Sequence, residues 1–322
     1  MKAIVQDGYG GPETLEFQDV PEPELTDDRV LVRVAAASLN PYDWHLMRGL
    51  PHFVRLQLGM ARPKQTIRGV DFAGRVEEVG KDVEGVIPGD EVFGESNGAL
   101  AELMSVSSRS LVSKPRNMTF EEAAAVPMGG LTALQALRDT AHTQAGDRVL
   151  INGSSGGVGT YAVQIAKALG AEVTAVCSTR NLEMVRSIGA DHVVDYTKDD
   201  FTDTERRYEV IIDTVSTKEL SECRRILEPD AVYVSLGALE MGNWIGPLTF
   251  LFGVKLASWR GSQRMVSMLA RTDRDDLTTL KDMAEAGEIR SVIDRTYPLA
   301  EAAEAMRYLE EGHVRGKVVV TI

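Results

Sequence analysis

The stretch 148–180, RVLINGSSGGVGTYAVQIAKALGAEVTAVCSTR, limits what this chain can fold into more than any other part of it. A short apolar run from Val149 to Ile151 leads into glycines and serines. A helical pattern follows from Thr160 to Leu169, closed by Gly170, and then a second apolar run from Val173 to Val176. Strand, glycine-rich turn, helix and strand in that order make one βαβ unit. Further strand-like runs at 192–196, 210–214 and 231–236 alternate with helical ones. That rhythm belongs to a doubly wound parallel sheet of the Rossmann type.

The turn carries chemistry. A pyrophosphate must be met without bulky side chains, and a helix N-terminus offers free N–H groups and a partial positive charge. Gly153, Gly156, Gly157 and Gly159 allow a sharp turn and a close approach. Ser154 and Ser155 add hydroxyl donors, and Ser155, Gly156, Gly157 and Val158 are the residues expected at the pyrophosphate.

The end of the next strand selects the coenzyme. Sites for NAD place a carboxylate there, to hold the ribose 2′-hydroxyl. This chain has Cys177, Ser178, Thr179, Arg180 and Asn181 instead. Arg180 can pair with a 2′-phosphate and Ser178 can donate to it, so NADPH is the expected cofactor. Tyr196, at the end of a third strand, is placed beside the same group. Val215 and Gly237 follow later strand ends, where such sheets bind ligands.

Bulk properties narrow the partners. The chain has 322 residues, ample for two domains. Its net charge of −13 argues against nucleic acid. Two cysteines, Cys177 and Cys223, exclude a disulfide scaffold and point to a reducing cytoplasm. The longest apolar stretch, 244–254, contains Pro247 and is too short to span a bilayer.

Residues 1–119 read as β-rich, with runs at 2–5, 29–37, 74–79, 91–93 and 99–106 broken by Gly, Pro and Asp. They suggest a compact, partly open barrel. From Thr119 the period turns helical, opening on a capping box with Glu122 and breaking at Pro127 and Gly129–Gly130. The dinucleotide-binding domain is accordingly placed at 120–261. Residues 262–322 are expected to return to the first domain, with a helix at 275–286, a strand at 290–297, a helix at 300–311 and a final β run at 317–322.

These motifs together resemble the medium-chain dehydrogenase/reductase superfamily. The supporting stretches are GVDFAGRVEEVG (69–80), PGDEVFG (88–94), GGLTALQAL (129–137), NGSSGGVGTYAVQIAKALGA (152–171), GADHVVDY (189–196), VIIDTV (210–215) and RGKVVVTI (315–322). The resemblance implies a GroES-like β-barrel domain beside the Rossmann domain. The zinc-dependent branch would place its metal ligands at Asn40, at Val70 and Asp71, and at Met128, where only Asp71 is a metal-binding residue type. No metal is therefore expected. The motif Asn40, Pro41, Tyr42, Asp43 is similar to that of the zinc-free quinone oxidoreductases, a branch with the reticulon-4-interacting protein and plant enone reductases. Several of these carry a Lys two residues after the Asp; here that residue is His45.

What the resemblance implies is hydride transfer from C4 of NADPH to a quinone or to the β-carbon of an α,β-unsaturated carbonyl. Asn40, Tyr42 and His45 are the catalytic candidates. Asn40 is placed beside the nicotinamide, Thr132 against it from the opposite domain, and Lys317 within reach of that side. Leu50, Phe53, Val54, Leu56, Leu58 and Met60, with Trp244, Ile245, Phe250 and Phe252, either line a hydrophobic acceptor site or form an interface or core. A homodimer is usual in the family. Two other readings stand beside this one: a non-catalytic NADPH-binding redox sensor or interaction protein, and a zinc-type alcohol dehydrogenase.

Overall fold

The computed structural model describes residues 1–236 and 262–322. Gly237 and the apolar stretch with Trp244, Ile245, Phe250 and Phe252 lie outside the described residues. Two compact units comprise Met1–Leu131 with Thr272–Ile322, and Thr132–Arg271.

The first unit is built around one long strand. Its strands are β1 (Lys2–Val5), β2 (Glu16–Asp19), β3 (Arg29–Leu39), β4 (Asp71–Val79), β5 (Glu91–Glu95), β6 (Leu103–Ser107) and β7 (Leu111–Ser113). β1 and β2 form a hairpin. In β3 the β-branched Val30, Val32 and Val34 alternate and are buried, whereas Arg33 points out. A register shift between Val34 and Ala36 then buries both Ala36 and Ala37, so the last third of β3 is enclosed on both faces. That end is where the candidate polar cluster forms. Helix α1 (Pro41–Arg48) starts directly after it, with Asn40 as N-cap and Asp43 closing the capping box, and a single-turn helix α2 (Arg55–Leu58) follows.

The helical segment after Thr119 belongs to this unit, not to the second one as the change of period suggested. Thr119 and Glu122 form the anticipated capping box at the start of α3 (Phe120–Ala124), which packs on β3 and β4. The expected break at Pro127 and Gly129–Gly130 is instead part of helix α4 (Pro127–Leu134). Pro127 suits a first turn, where its missing N–H has no partner to lose. A Cβ on Gly130 would stand 3.0 Å from Leu280, so the glycine permits close packing by helix Arg274–Glu285. The last strands, β14 (Ile293–Pro298) and β15 (Lys317–Thr321), extend the same sheet in the order β14-β15-β3-β4-β5-β7, with β6 also on β3.

The second unit is a six-stranded parallel sheet. Its strands are β8 (Arg148–Asn152), β9 (Glu172–Cys177), β10 (His192–Asp195), β11 (Tyr208–Asp213), β12 (Leu227–Ser235) and β13 (Arg264–Ser267), ordered β10-β9-β8-β11-β12-β13. Val149, Leu150 and Ile151 are wholly buried, as are Val173, Ala175 and Val176. Continuous apolar strands of this kind are covered on both faces. Among the described residues no helix is long and apolar enough to cross a membrane.

Candidate functional site

The strand order reverses between β8 and β11, the switch point where open parallel sheets receive ligands. The glycine-rich loop leaves β8 there. Gly153 has φ +79°, and a Cβ on it would lie 2.2 Å from the Thr214 hydroxyl. A Cβ on Gly159 would lie 2.1 Å from the Gly153 carbonyl oxygen. These two glycines close the turn against itself. Gly156 differs: a Cβ there would meet nothing nearer than 3.5 Å. It is the N-cap of α5 (Gly157–Ala168), and no side chain caps that helix. The helix starts three residues before the apolar periodicity does, so Gly157 and Val158 sit in its first turn with N–H groups that helix geometry leaves unpaired. Open space before an uncapped helix start fits a pyrophosphate.

Ser154 requires a correction. It is fully buried and its hydroxyl donates to the Val176 carbonyl at 2.9 Å, stitching the loop to β9. Its proton is spent inside the fold. Ser155 is half-buried and its oxygen accepts from the Asn181 amide at 2.9 Å, which leaves its own hydrogen to donate.

After β9, Ser178 precedes a single helical turn, Thr179–Asn181, then α6 (Leu182–Ser187). Ser178 also accepts from Asn181, at 3.2 Å, and Arg180 is exposed. Tyr196 is 59 % exposed at the end of β10. Sequence reasoning overlooked Asp195, which stands opposite Cys177 in the strand register. This carboxylate is not presented to a ribose. It accepts from the hydroxyls of Thr179 (2.5 Å) and Thr197 (2.7 Å), and Lys198 lies 3.4 Å away. Those hydrogen bonds hold its carboxyl far below the usual range.

Asp213, at the end of β11, is a second overlooked carboxylate. It is buried and accepts from Asn152 (2.9 Å), Tyr233 (2.8 Å) and the N–H groups of Val215 and Ser216. Ser216 takes φ +56°, a conformation this carboxylate braces. Val215 is thereby held 40 % exposed at the switch point.

In the first unit, register alone gathers a charged group. Ser38 pairs with Asp71, Asp71 with Glu95, and Leu39 with Val318. Asn40, Asp71, Glu95 and Lys317 therefore lie at neighbouring strand ends. Lys317 donates to the Asn40 carbonyl oxygen and lies 3.3 Å from Asp71. The Asn40 amide donates to Asp71 at 3.0 Å and to the Ser38 carbonyl at 3.4 Å. The Met128 N–H donates to the other Asp71 oxygen at 3.1 Å. Lys317 and Asp71 are 2 % and 0 % exposed at the side chain. Lys317 is thus buried and paired, and Asn40 has both amide hydrogens committed within its own unit.

Electrostatics separate the remaining candidates. Burial pushes Asp43 up to about 7, opposed by the Asn40 N–H at 2.8 Å. Burial and the neighbouring Asp71 raise half-buried Glu95 to about 7 as well. Burial also lifts Asp71, against the pull of Lys317, Asn40 and Met128. His45 goes the other way. It is buried and stacked on Trp44 with centroids 3.7 Å apart, and desolvation lowers it to about 4. Burial therefore keeps the ring neutral near pH 7. Tyr42 is 40 % exposed on α1, and Thr132 is half-buried on α4. Phe53, Leu56 and Met60 stay exposed after α1.

A tetrahedral zinc needs three protein ligands. Of the matched positions, Asn40 offers an amide already engaged, Val70 nothing, Met128 a thioether, and Asp71 a carboxylate held by an ammonium. These residues do not fit the metal.

Comparison with known proteins agrees with this anatomy. Residues 26–116 match the family model described as "Alcohol dehydrogenase GroES-like domain", and residues 188–320 match "Zinc-binding dehydrogenase". The chain is 33 % identical over 335 residues to 2-methylene-furan-3-one reductase of Solanum lycopersicum, covering 99 % of this chain and 79 % of that one. The same figures hold for the chloroplastic NADPH-dependent alkenal/one oxidoreductase of Arabidopsis thaliana. Among solved structures, the quinone oxidoreductase from Coxiella burnetii superposes with a TM-score of 0.87 at 31 % identity, covering 100 % of this chain and 99 % of that one.

Proposed function

Because the chain belongs to the quinone and enone oxidoreductase branch of the medium-chain dehydrogenase/reductase superfamily, we propose that it reduces a small hydrophobic quinone or α,β-unsaturated carbonyl with NADPH. The observation that carries the proposal is the open, uncapped start of α5 at the switch point, with Ser178 and Arg180 beyond β9 and the nearby Asp195 withdrawn.

When bound, NADPH supplies the hydride, which an electron-poor carbon of the acceptor receives, and a proton completes the two-electron reduction. The chain's own residues do the rest. The N–H groups of Gly157 and Val158 and the Ser155 hydroxyl bind the pyrophosphate. Ser178, Arg180 and Tyr196 bind the 2′-phosphate and its ribose, and Val215 borders the same crevice. Thr132 is assigned to the nicotinamide.

Asn40 and Lys317 act as positioning residues that fix the Asp71 carboxylate. Glu95, lifted to about 7 by burial, can share a proton near neutral pH, whereas burial keeps His45 neutral. Tyr42 is a donor to the acceptor oxygen. Without zinc, this polar frame polarises the acceptor, and Phe53, Leu56 and Met60 offer it apolar surface. The same reading takes the protein as a homodimer of the reducing cytoplasm.

The test is NADPH oxidation across a panel of quinones and enals, with metal analysis of the same preparation. Turnover with less than about 0.1 zinc per chain is the expected result, set by the absent ligand set. Coenzyme binding without turnover on any acceptor would move the reading to a redox sensor, and stoichiometric zinc would refute the metal argument.

A further inference from the structure

Asn181 touches the hydroxyls of both Ser155 and Ser178. Its side-chain nitrogen donates one hydrogen to Ser155 and the other to Ser178. Ser155 belongs to the loop after β8 and Ser178 to the turn after β9, so the amide spans the two strand ends. Asn181 ends the helical turn Thr179–Asn181 with αR backbone, and its side chain makes no capping bond to α6. It is also only 3 % exposed, and its carbonyl oxygen is buried without a hydrogen-bond partner among the described residues. An apolar residue would avoid that loss. The fold keeps the asparagine for what its nitrogen does.

A hydroxyl that accepts from an amide has its own hydrogen free to point elsewhere. Both serines are half-buried, so those hydrogens can reach a ligand. We infer that Asn181 is the specificity-determining positioning residue of the coenzyme site, turning the Ser155 and Ser178 hydroxyls outward as donors to anionic phosphate oxygens. The inference rests on the NADPH reading above. It adds a residue that never touches the coenzyme but decides which way two of its contacts point. A carboxylate in the same place would reverse them: both hydroxyls would donate inward, and their lone pairs would face the phosphates.

The test uses Asn181→Asp and Asn181→Ala in the full chain, with dissociation constants for NADPH, NADH and adenosine 2′,5′-bisphosphate measured by calorimetry. Asn181→Asp, a near-isosteric change, is expected to weaken NADPH and the bisphosphate about tenfold to a hundredfold, the scale of lost hydrogen bonds to a charged group. NADH, which lacks the 2′-phosphate, should lose at least about tenfold less. Asn181→Ala should shift the NADPH-to-NADH ratio the same way by a smaller factor. In a Ser178→Ala background that shift in the ratio should vanish, because the hydroxyl left for Asn181 to orient, Ser155, faces the pyrophosphate that both coenzymes share. Equal losses of both coenzymes, or an unchanged effect of Asn181→Ala without the Ser178 hydroxyl, would overturn the inference. Wild-type protein that binds NADH but ignores the bisphosphate would overturn the coenzyme assignment beneath it instead.

Discussion

The two polar regions of this protein use their hydrogen bonds in opposite ways. In the first unit, Asn40, Asp71 and Lys317 turn their donors and acceptors on one another, behind almost complete burial. In the second, the loop after β8 leaves capacity unspent: an uncapped helix, an open Gly156, and two serine hydroxyls that accept from inside and can donate outside. A saturated cluster cannot grip a ligand strongly, but it can hold a field in place. An unsaturated loop stores little stability, but it is ready to bind. On the proposed function, the contrast separates a part that fixes the electrostatics from a part that receives phosphate.

The sharpest challenge to the contrast is Lys317→Met. It leaves the Asp71 carboxylate buried without its cation, a change that typically costs about 3–5 kcal/mol. Chemical denaturation should show the loss, and Asp71→Asn in the same chain should recover most of it. The single variant should also suffer less at low pH, where Asp71 can take up a proton. If Lys317→Met is neutral, the cluster is not closed on itself.

Gly159→Ala addresses the other region. Its methyl would meet the Gly153 carbonyl oxygen, so the loop must shift, at about 1–3 kcal/mol by analogy with overpacking. Gly156→Ala meets no such contact and should leave stability nearly unchanged while weakening NADPH, as calorimetry and a thermal melt would show together. Arg180→Ala comes next: NADPH affinity should fall about tenfold or more, with NADH little changed. Equal losses for the two would undo the 2′-phosphate assignment.

The smallest effect concerns pH. Glu95 is raised from 4.5 to about 7 in the folded state, so the folded protein holds this proton more tightly than the unfolded chain. Stability from this group is full below pH 4.5 and is lost as pH rises through 7. Glu95→Gln should flatten the decline in melting temperature across that window by about 2–4 °C, leaving the share owed to Asp43.

How much of this was legible in the chain follows the same division. The loop could be read because its requirements are local: glycines within a few residues of one another, between a strand and a helix. Even there, one serine of the pair was misjudged, since only the course of β9 shows that Ser154 faces the Val176 carbonyl. Asn181 carries no role that the sequence alone assigns, since its two serine partners lie on different strand ends. The break expected at Gly129–Gly130 was a local inference overruled by packing, because Leu280 needs the space a side chain would fill.

The sequence by itself determined the parallel sheet, its glycine-rich turn and the residue types that follow β9. All of these depend on residue types at short spacing. Tertiary structure alone decided that Lys317 meets Asn40, 277 residues away, and that Glu95 faces Asp71. Strand register has no short-range signature, since each pairing is fixed by the whole sheet. Residues distant along the chain therefore acquire their charge states only when the strand ends come together.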